Sequence, residues 1–192
     1  MHTFSLAEYM RPIYESDWKA VADLMIQSGE KLAAIGADFL ICPDNTLHQA
    51  FDYFEGRSPL PWLHIAEEVG QEASKQQCRR LGILGTKYLM EGPVYPDKLR
   101  LLDIKYEIPS QETRIRINSI IFDELVKSKF QPESRNYFSR VIEDFKAAGC
   151  DGVVLGCTEI PLLISQQDSA LPVFDSTRLL ARTALKKATE TI

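Results

Sequence analysis

The sequence lacks the features that mark exported, membrane-spanning or nucleic-acid-binding proteins. Its first residues, MHTFSLAE, contain no basic stretch followed by an apolar run, which indicates that no signal peptide is present. No apolar run approaches the length of a membrane span. The 22 basic and 27 acidic residues are interspersed and leave a net charge of −5, whereas a nucleic-acid-binding protein needs a basic face. We therefore expect a cytoplasmic protein that binds neither nucleic acid nor membrane.

The four cysteines are too few and too scattered for a disulfide framework or a metal site. Cys42, Cys78, Cys150 and Cys157 include no Cys-x-x-Cys pair and no cysteine–histidine spacing typical of zinc. A cytosolic chain of this size keeps its thiols reduced, so we expect free thiols and no metal. A free cysteine is most often a small buried hydrophobic residue, and any other role needs local support.

Helical and extended patterns alternate along the chain. One helix is predicted to begin at Ser16 as its N-cap and to end at about Ile35, before Gly36. The other predicted helices are a short one after His48 and residues 66–77, 95–102, 111–128, 133–148 and 175 onward. The predicted strands are residues 38–42, 60–65, 80–86, 105–109, 152–155 and 171–174. This alternation predicts an α/β fold with parallel sheets flanked by helices.

A weak internal repeat indicates that the chain contains two similar α/β halves. Residues 36–45 (GADFLICPDN) align without a gap to residues 149–158 (GCDGVVLGCT). Residues 58–64 align to residues 169–175 with an offset of two relative to the first match. The alternative is a chance match, because Gly-Ala-Asp before a strand is common in α/β proteins.

The repeat predicts where the halves lie and which residues face each other. We predict a first half from residues 1–77 plus 172–192 and a second half from residues 78–171. Asp44 and Cys157 then follow equivalent strands, at the strand ends where ligands of open α/β sheets bind. Two facing halves would present both side chains to one cleft. This geometry allows one group to remove a Cα proton and the other to deliver a proton to the opposite face.

Two segments carry recognisable motifs. Gly156–Ile164 (GCTEIPLLI) closely resembles the second active-site motif of the cofactor-independent aspartate/glutamate racemase family, within the Asp/Glu/hydantoin racemase superfamily. Asn45–His48 (NTLH) resembles the end of the first motif, which normally reads Cys-Asn-Thr-x-His. Further segments match in order and approximate spacing: Pro61–Ile65, Gly85–Thr86 with Met90–Glu91, and Leu171–Asp175. The resemblance covers nearly the whole chain. It implies an isomerase of amino-acid metabolism that racemises aspartate or glutamate without pyridoxal phosphate or another cofactor, with an active site between two halves.

The resemblance also implies roles for individual residues. Cys157 matches a catalytic thiol, and Asp44 occupies the position of its partner. The substrate's α-carboxylate and amino group are expected to be held by Asn45, Thr46 and Thr158. Thr86 matches a position of the family that lines the same cleft. The alternatives are a buried inert thiol at position 157 and turn or N-cap chemistry for the three polar residues.

The residues after Cys157 give a physical reason for a reactive thiol. Pro161 is typical of a first helical turn, and a helix N-terminus stabilises a thiolate and a neighbouring carboxylate. Glu159 is expected at the substrate site, where it either orients its neighbours or complements the helix N-terminus. His48 and His64 are interpreted as structural or supporting hydrogen-bonding residues rather than bases.

The main departure from the family is Asp44, which stands where the first catalytic cysteine should be. Cys42 is two residues earlier, but the repeat pairs it with Leu155 on a core strand, so we interpret Cys42 as a packing residue. A thiol has a pKa of about 8.5 and an aspartate about 3.9, so the carboxylate is the weaker base by about 6 kcal/mol. Burial would raise the aspartate pKa and recover part of this difference. We therefore expect a slow racemase, or one that accepts a single enantiomer.

Two cleft positions and the N-terminus also differ from the family. Val126 stands where some aspartate racemases have a lysine for the side-chain carboxylate, with Lys127 one residue later, and Leu89 replaces a threonine. Arg114 and Arg116 are candidate carboxylate-binding residues, although helix-surface positions are the simpler interpretation. Relatives begin with a strand, a Gly-Gly turn and a helix, and this chain is expected to begin after them. An open sheet edge would favour a homodimer.

Two other functions are compatible with the sequence. Related folds with only the second cysteine include decarboxylases of arylmalonate-like diacids and cis–trans isomerases of maleate-like diacids, in which one thiol protonates an enediolate or attacks an alkene. The chain is alternatively a non-catalytic homologue that binds a small carboxylate.

Overall fold

Six short strands form two parallel sheets in the computed structural model, which describes residues 1–190. The strands are β1 (Leu40–Ile41), β2 (Trp62–Leu63), β3 (Arg80–Gly85), β4 (Lys105–Glu107), β5 (Gly152–Gly156) and β6 (Val173–Asp175). One sheet pairs β1 with β2, and the other has the order β4-β3-β5-β6. Helices flank both sheets, so the predicted α/β class is confirmed.

Ten α-helices are described in the same residues. They are α1 (Leu6–Tyr14), α2 (Trp18–Ala34), α3 (Phe51–Phe54), α4 (Ile65–Lys75), α5 (Lys87–Glu91), α6 (Val94–Arg100), α7 (Gln111–Asp123), α8 (Pro132–Ala147), α9 (Ile160–Leu163) and α10 (Ser176–Glu190). Short 3-10 turns over Thr46–Ala50 and Leu125–Lys127 carry parts of the cleft described below.

The four-stranded sheet forms the centre of the hydrophobic core because both of its faces are covered. Leu84 and Leu155 belong to a cluster with α7 and α8 on one face. Leu81, Ile83 and Val154 belong to a cluster with α4 and α6 on the other. Strands that are buried on two faces read as continuous apolar runs, which is why β3 and β5 were predicted closely from the sequence.

The N-terminal helices differ from the sequence prediction. Asp17, not Ser16, caps α2, because its carboxylate accepts a hydrogen bond of 3.0 Å from the backbone N–H of Ala20. Ser16 lies in the left-handed region at φ 56° and connects α1 to α2. Helix α1 was not predicted. Its signal is a capping box in which Glu8 accepts from the backbone N–H of Ser5 at 3.0 Å.

The last strand and the last helix contact different predicted halves of the chain. The predicted boundaries assign Val173–Asp175 to the first half, but this strand is β6 and pairs with β5 in the four-stranded sheet. Helix α10 instead packs on α4, and the Thr183 hydroxyl donates to Glu68 at 2.7 Å. The division at residues 77/78 and 171/172 stays a prediction. No helix in residues 1–190 is both long and apolar enough to cross a bilayer.

Candidate active site

Two motif loops meet at the carboxyl ends of β1 and β5 and form a cleft of about 120 Å³. Strand β1 belongs to the two-stranded sheet and β5 to the four-stranded one, and ligands of α/β folds bind beyond the carboxyl ends of such strands. The cleft is lined by all seven residues that the sequence analysis proposed for the site: Asp44, Asn45, Thr46, Thr86, Cys157, Thr158 and Glu159. It is far larger than the space that one water molecule occupies, so it suits a small ligand.

The second motif places a protonated thiol beside a carboxylate. Cys157 follows β5 directly and is 8% exposed. Its S–H donates to Oε2 of Glu159 at 3.0 Å, and the Thr158 hydroxyl donates to the same oxygen at 2.6 Å. Burial and the negative charge of Glu159 raise the pKa of Cys157 well above its usual value. The backbone N–H of Glu159, at the N-cap of α9, opposes this shift in pKa, but burial and the Glu159 carboxylate outweigh it, so the thiolate expected from the helix N-terminus is not favoured.

The first motif places Asp44 at the entrance to a 3-10 turn. Its Oδ1 accepts a hydrogen bond of 3.2 Å from the backbone N–H of Leu47. Solvent reaches much of the residue, but protein atoms surround the carboxyl group within the cleft. This withdrawal from water, together with the charge of Glu159, raises the pKa of Asp44, while the backbone N–H groups of Leu47 and Thr46 oppose the shift. Asp44 therefore combines a turn-stabilising contact with a position in the cleft.

Asn45 connects the first motif to the four-stranded sheet. Its amide donates to the Ser176 hydroxyl at 2.9 Å, and its carbonyl accepts from the Tyr95 hydroxyl at 2.7 Å. Ser176 in turn donates to the backbone carbonyl of Leu155 at 2.9 Å. All of these groups are buried. The Asn45 side chain is therefore largely occupied by the protein, which limits the substrate contact expected from the sequence.

Two threonines cross the cleft floor between the motif loops. The hydroxyl oxygens of Thr46 and Thr86 lie 3.1 Å apart and share a hydrogen bond. Thr86 also caps α5, because its hydroxyl accepts from the backbone N–H of Leu89 at 3.3 Å. With Thr158 on the opposite loop, three hydroxyl groups therefore line the same cleft. Such groups can hydrogen-bond a carboxylate or an ammonium group.

The family model described as Asp/Glu/Hydantoin racemase matches residues 5–184 of the chain. The chain belongs to this family.

Relatives of known structure and a curated relative agree with the assignment. A Yersinia pestis protein assigned as an Asp/Glu racemase is 33% identical, with a TM-score of 0.89 over 98% of this chain and 82% of that one. An aspartate racemase homologue from Pyrococcus horikoshii OT3 is 28% identical, with a TM-score of 0.85 over the same shares. The broad specificity amino-acid racemase RacX of Bacillus subtilis strain 168 is 22% identical over 91% of this chain and 74% of RacX.

The histidines of this racemase-family chain lie behind the first motif rather than in the cleft. His48 donates from Nε2 to the backbone carbonyl of Cys42 at 3.0 Å, and its ring contacts His64 edge-on. His64 caps α4 by accepting from the backbone N–H of Ala66. Burial lowers the pKa of His48 to about 4 and that of His64 to about 2. Both rings are therefore neutral and agree with the structural interpretation.

Cys42 packs beneath the first motif loop of this racemase-family chain. Its side chain is partly buried against the cluster formed by α1, α2 and the 3-10 turn after Asp44. Burial and the neighbouring Asp44 raise the pKa of Cys42 to about 12. All four cysteines are free thiols, and Cys157 is the one that lines the cleft.

The family's cleft positions that differ in this chain are occupied by apolar residues. Val126 lines the cleft, whereas Lys127 pairs with Asp123 at 3.7 Å. Leu89 is buried beside Gly85 and Gly156, whose missing side chains make room for it. Arg114 donates to Glu91 at 2.9 Å and does not line the cleft, which agrees with its interpretation as a helix-surface residue.

The structure adds one cleft wall that the sequence analysis did not include. Helix α1 contributes Leu6, Tyr9, Met10 and Ile13 to the lining. The apolar spacing of these residues and the capping box before them were readable in the sequence, but their position over the cleft was not. Within residues 1–190 no group of three or more His, Cys, Asp or Glu side chains is arranged to hold a metal ion.

Proposed function

We propose that the chain is an amino-acid racemase in which Asp44 and Cys157 act on opposite faces of the substrate's Cα without a cofactor. Family membership supports a racemase in general. The observation that carries the specific proposal is that the two positions related by the internal repeat line one cleft. An acid and a base on opposite faces are what inversion at a carbon centre requires.

The protonation states support a defined direction for the resting enzyme. A carboxylate at Asp44 can accept the Cα proton, while the Cys157 thiol, whose pKa is raised by burial and by Glu159, still holds the proton that must be delivered. After one turnover Asp44 is protonated and Cys157 is a thiolate. The resting state is then restored by exchange with solvent, in which Asp44 releases its proton and Cys157 takes one up. Glu159, which accepts the hydrogen bond from the thiol, lies where it can relay that proton.

The reverse direction starts from the less populated pair, a thiolate and a protonated aspartate. The two enantiomers are equally stable, so kcat/KM for racemisation must be the same in both directions. The difference between the two protonation states is therefore expected to appear in isotope exchange. The enantiomer whose Cα–H faces Asp44 should incorporate solvent deuterium more readily before inversion. This refines the expectation of a slow or single-enantiomer enzyme.

The remaining polar groups support binding of an amino acid by its backbone atoms. The hydroxyls of Thr46, Thr86 and Thr158 suit the α-carboxylate, and the carboxylates of Asp44 and Glu159 suit the ammonium group. Family resemblance favours aspartate or glutamate as substrate, although a relative is a broad specificity racemase. The cytoplasmic location, the homodimer and the absence of nucleic-acid and membrane partners stay predictions.

Exchange of the Cα proton in D₂O tests the proposal. Each enantiomer of a full panel of amino acids is incubated with the purified chain, and loss of the Cα signal is followed by proton NMR with chiral chromatography of the products. We expect exchange and inversion with at least one amino acid. If no amino acid of the panel exchanges its Cα proton, the proposal is wrong.

A binding protein without turnover is the second candidate. The hydrogen bond from Leu47 N–H to Asp44 favours it, because this contact gives the carboxylate a structural role that needs no catalysis. A chain of this kind would bind an amino acid or another small carboxylate in the same cleft and would show no exchange.

A further inference from the structure

The cleft contains two acidic side chains and no basic one among the residues described as its lining. Asp44 and Glu159 are the charged members of that set. Aspartate or glutamate would bring a second carboxylate close to these two groups. Like charges at short range in a partly desolvated site are unfavourable unless a cation compensates them. The charge of the cleft therefore opposes an acidic substrate side chain.

Three basic side chains on α5, α7 and the turn after α7 contact other groups. Arg114 is held by Glu91 and by the backbone carbonyl of Pro109. Lys127 pairs with Asp123. Lys87 lies over the ring of Tyr88, with Nζ 5.0 Å from the ring centroid. None of these three side chains lines the cleft.

The walls above the polar floor are apolar on two sides. Helix α1 contributes Leu6, Met10 and Ile13. The end of α7 and the turn after it contribute Ile121, Phe122 and Val126. Helix α1 also contacts α5, where the Tyr14 ring meets the Tyr88 ring edge-on with the ring centroids 6.0 Å apart. An aliphatic or aromatic side chain removes such surface from water on binding, which is favourable.

We infer that the substrate carries an uncharged, apolar side chain of the leucine, methionine or phenylalanine class, which packs between α1 and the end of α7. The inference rests on the proposed racemase function for the identity of the reacting atoms. The hydroxyl and carboxylate groups of the floor hold the amino acid's α-carboxylate and ammonium group, while Leu6, Met10, Ile121 and Phe122 contact the side chain. Met10 adapts to different shapes because its side chain is flexible.

The exchange rates of the amino-acid panel test this inference separately from the proposed function. We expect kcat/KM for Cα exchange to be about tenfold or more higher for leucine, methionine or phenylalanine than for aspartate or glutamate, which corresponds to one well-placed charge or apolar contact. Faster exchange of aspartate or glutamate would overturn the inference and leave the racemase proposal standing.

If no amino acid exchanges its Cα proton, a binding measurement tests the inference instead. Saturation-transfer NMR with leucine, methionine, phenylalanine, aspartate and glutamate measures occupancy without turnover. Stronger binding of the apolar amino acids supports the inference even if the racemase proposal has failed. Stronger binding of the acidic ones, or binding of neither class, overturns it.

Introducing a cation into the cleft should reverse the preference. Val126 lines the cleft and is 45% exposed, so a lysine fits there without burial of its charge. Val126→Lys is expected to raise the ratio of aspartate to leucine, in exchange or in binding, by about tenfold or more. The matched control is Ile115→Lys, which adds the same charge at a 60% exposed position of α7 outside the cleft. An unchanged ratio in Val126→Lys, or an equal change in the control, overturns the inference.

Discussion

The two motif loops occupy matching places in the repeat, but the protein supports them by different means. The loop with Cys157 follows β5, which is buried and hydrogen-bonded to β3 and β6 on its two sides. The loop with Asp44 follows β1, a two-residue strand that pairs with β2. The loop with Asp44 therefore lacks the support of a long strand. Side-chain hydrogen bonds from Asn45 and His48 hold it instead.

The comparison shows how one half of a repeat can change its chemistry. A loop that follows a central strand is positioned mainly by the backbone hydrogen bonds of that strand. A loop positioned by side chains depends on each of them, and here Asp44 supplies one of the contacts by accepting from Leu47. The substituted position is therefore at once part of the proposed chemistry and part of the loop's own support.

Among substitutions in the two loops, Cys157→Ala is expected to lower the rate of inversion the most. Removal of the thiol takes away the group that delivers the proton, and loss of such a group typically lowers the rate by 10²–10⁴-fold, so we expect about 10³-fold slower inversion. The measurement is the rate of racemisation in D₂O. Cys78→Ala is the control, because Cys78 is buried at the start of β3, away from the cleft. Equal rates in both variants would remove Cys157 from the mechanism.

The histidines behind the first motif should make its half of the protein sensitive to acid. His48 has a folded pKa of about 4 against 6.5 when exposed. Because the folded pKa is lowered, the stabilisation is present above pH 6.5 and is lost as the pH falls toward 4, by about 3 kcal/mol for this one residue. The measurement is urea unfolding across this pH range.

His48→Gln should reduce the pH dependence of the unfolding free energy, because the variant has one fewer buried neutral imidazole. Phe51→Leu is the control, since Phe51 stacks on His48 and does not titrate. It should lower stability by a similar amount at every pH. A pH dependence in His48→Gln equal to that of the unchanged protein would contradict the assignment.

Two substitutions at Asp44 separate its chemistry from its support of the loop. Asp44→Asn keeps an oxygen that can accept from Leu47, but it removes the base, so we expect about 10²-fold slower exchange with little change in melting temperature. Asp44→Ala also loses the turn contact and should lower the unfolding free energy by about 1 kcal/mol more. Activity of Asp44→Asn at the original rate would assign Asp44 to structure alone.

A smaller effect is expected where β3 and β5 approach Leu89. A Cβ at Gly156 would lie 2.9 Å from the backbone oxygen of Leu84 and would also collide with Leu89. Since a backbone atom cannot move away easily, Gly156→Ala is expected to cost about 1–3 kcal/mol of stability. Gly56→Ala is the control, because nothing lies within 4 Å of a Cβ built there. Thermal unfolding compares them, and equal melting temperatures would contradict the packing argument.

Much of the fold was predictable from the sequence because its strands and helices follow local rules. Strand β5 was predicted over residues 152–155 and observed at Gly152–Gly156, since a short apolar run between a glycine turn and a helix has few alternatives. Helix α1 was missed although its apolar spacing and its capping box are readable in the sequence, because its nine residues include Pro12, which normally ends a helix. The seven site residues were found together because the repeat and the motifs mark the carboxyl ends of β1, β3 and β5, and ligands of α/β folds bind beyond such strand ends.

The sequence by itself determined the α/β class, the family, and seven of the residues that line the cleft, because each depends on local pattern or on motifs read in order. Tertiary structure alone decided what those residues can do. It occupies Asn45 with Tyr95 and Ser176, places Glu159 against the Cys157 thiol, and brings α1 over the cleft. Protonation states and the polarity of a cleft depend on burial and on neighbours distant in sequence, and only the folded chain brings those neighbours together.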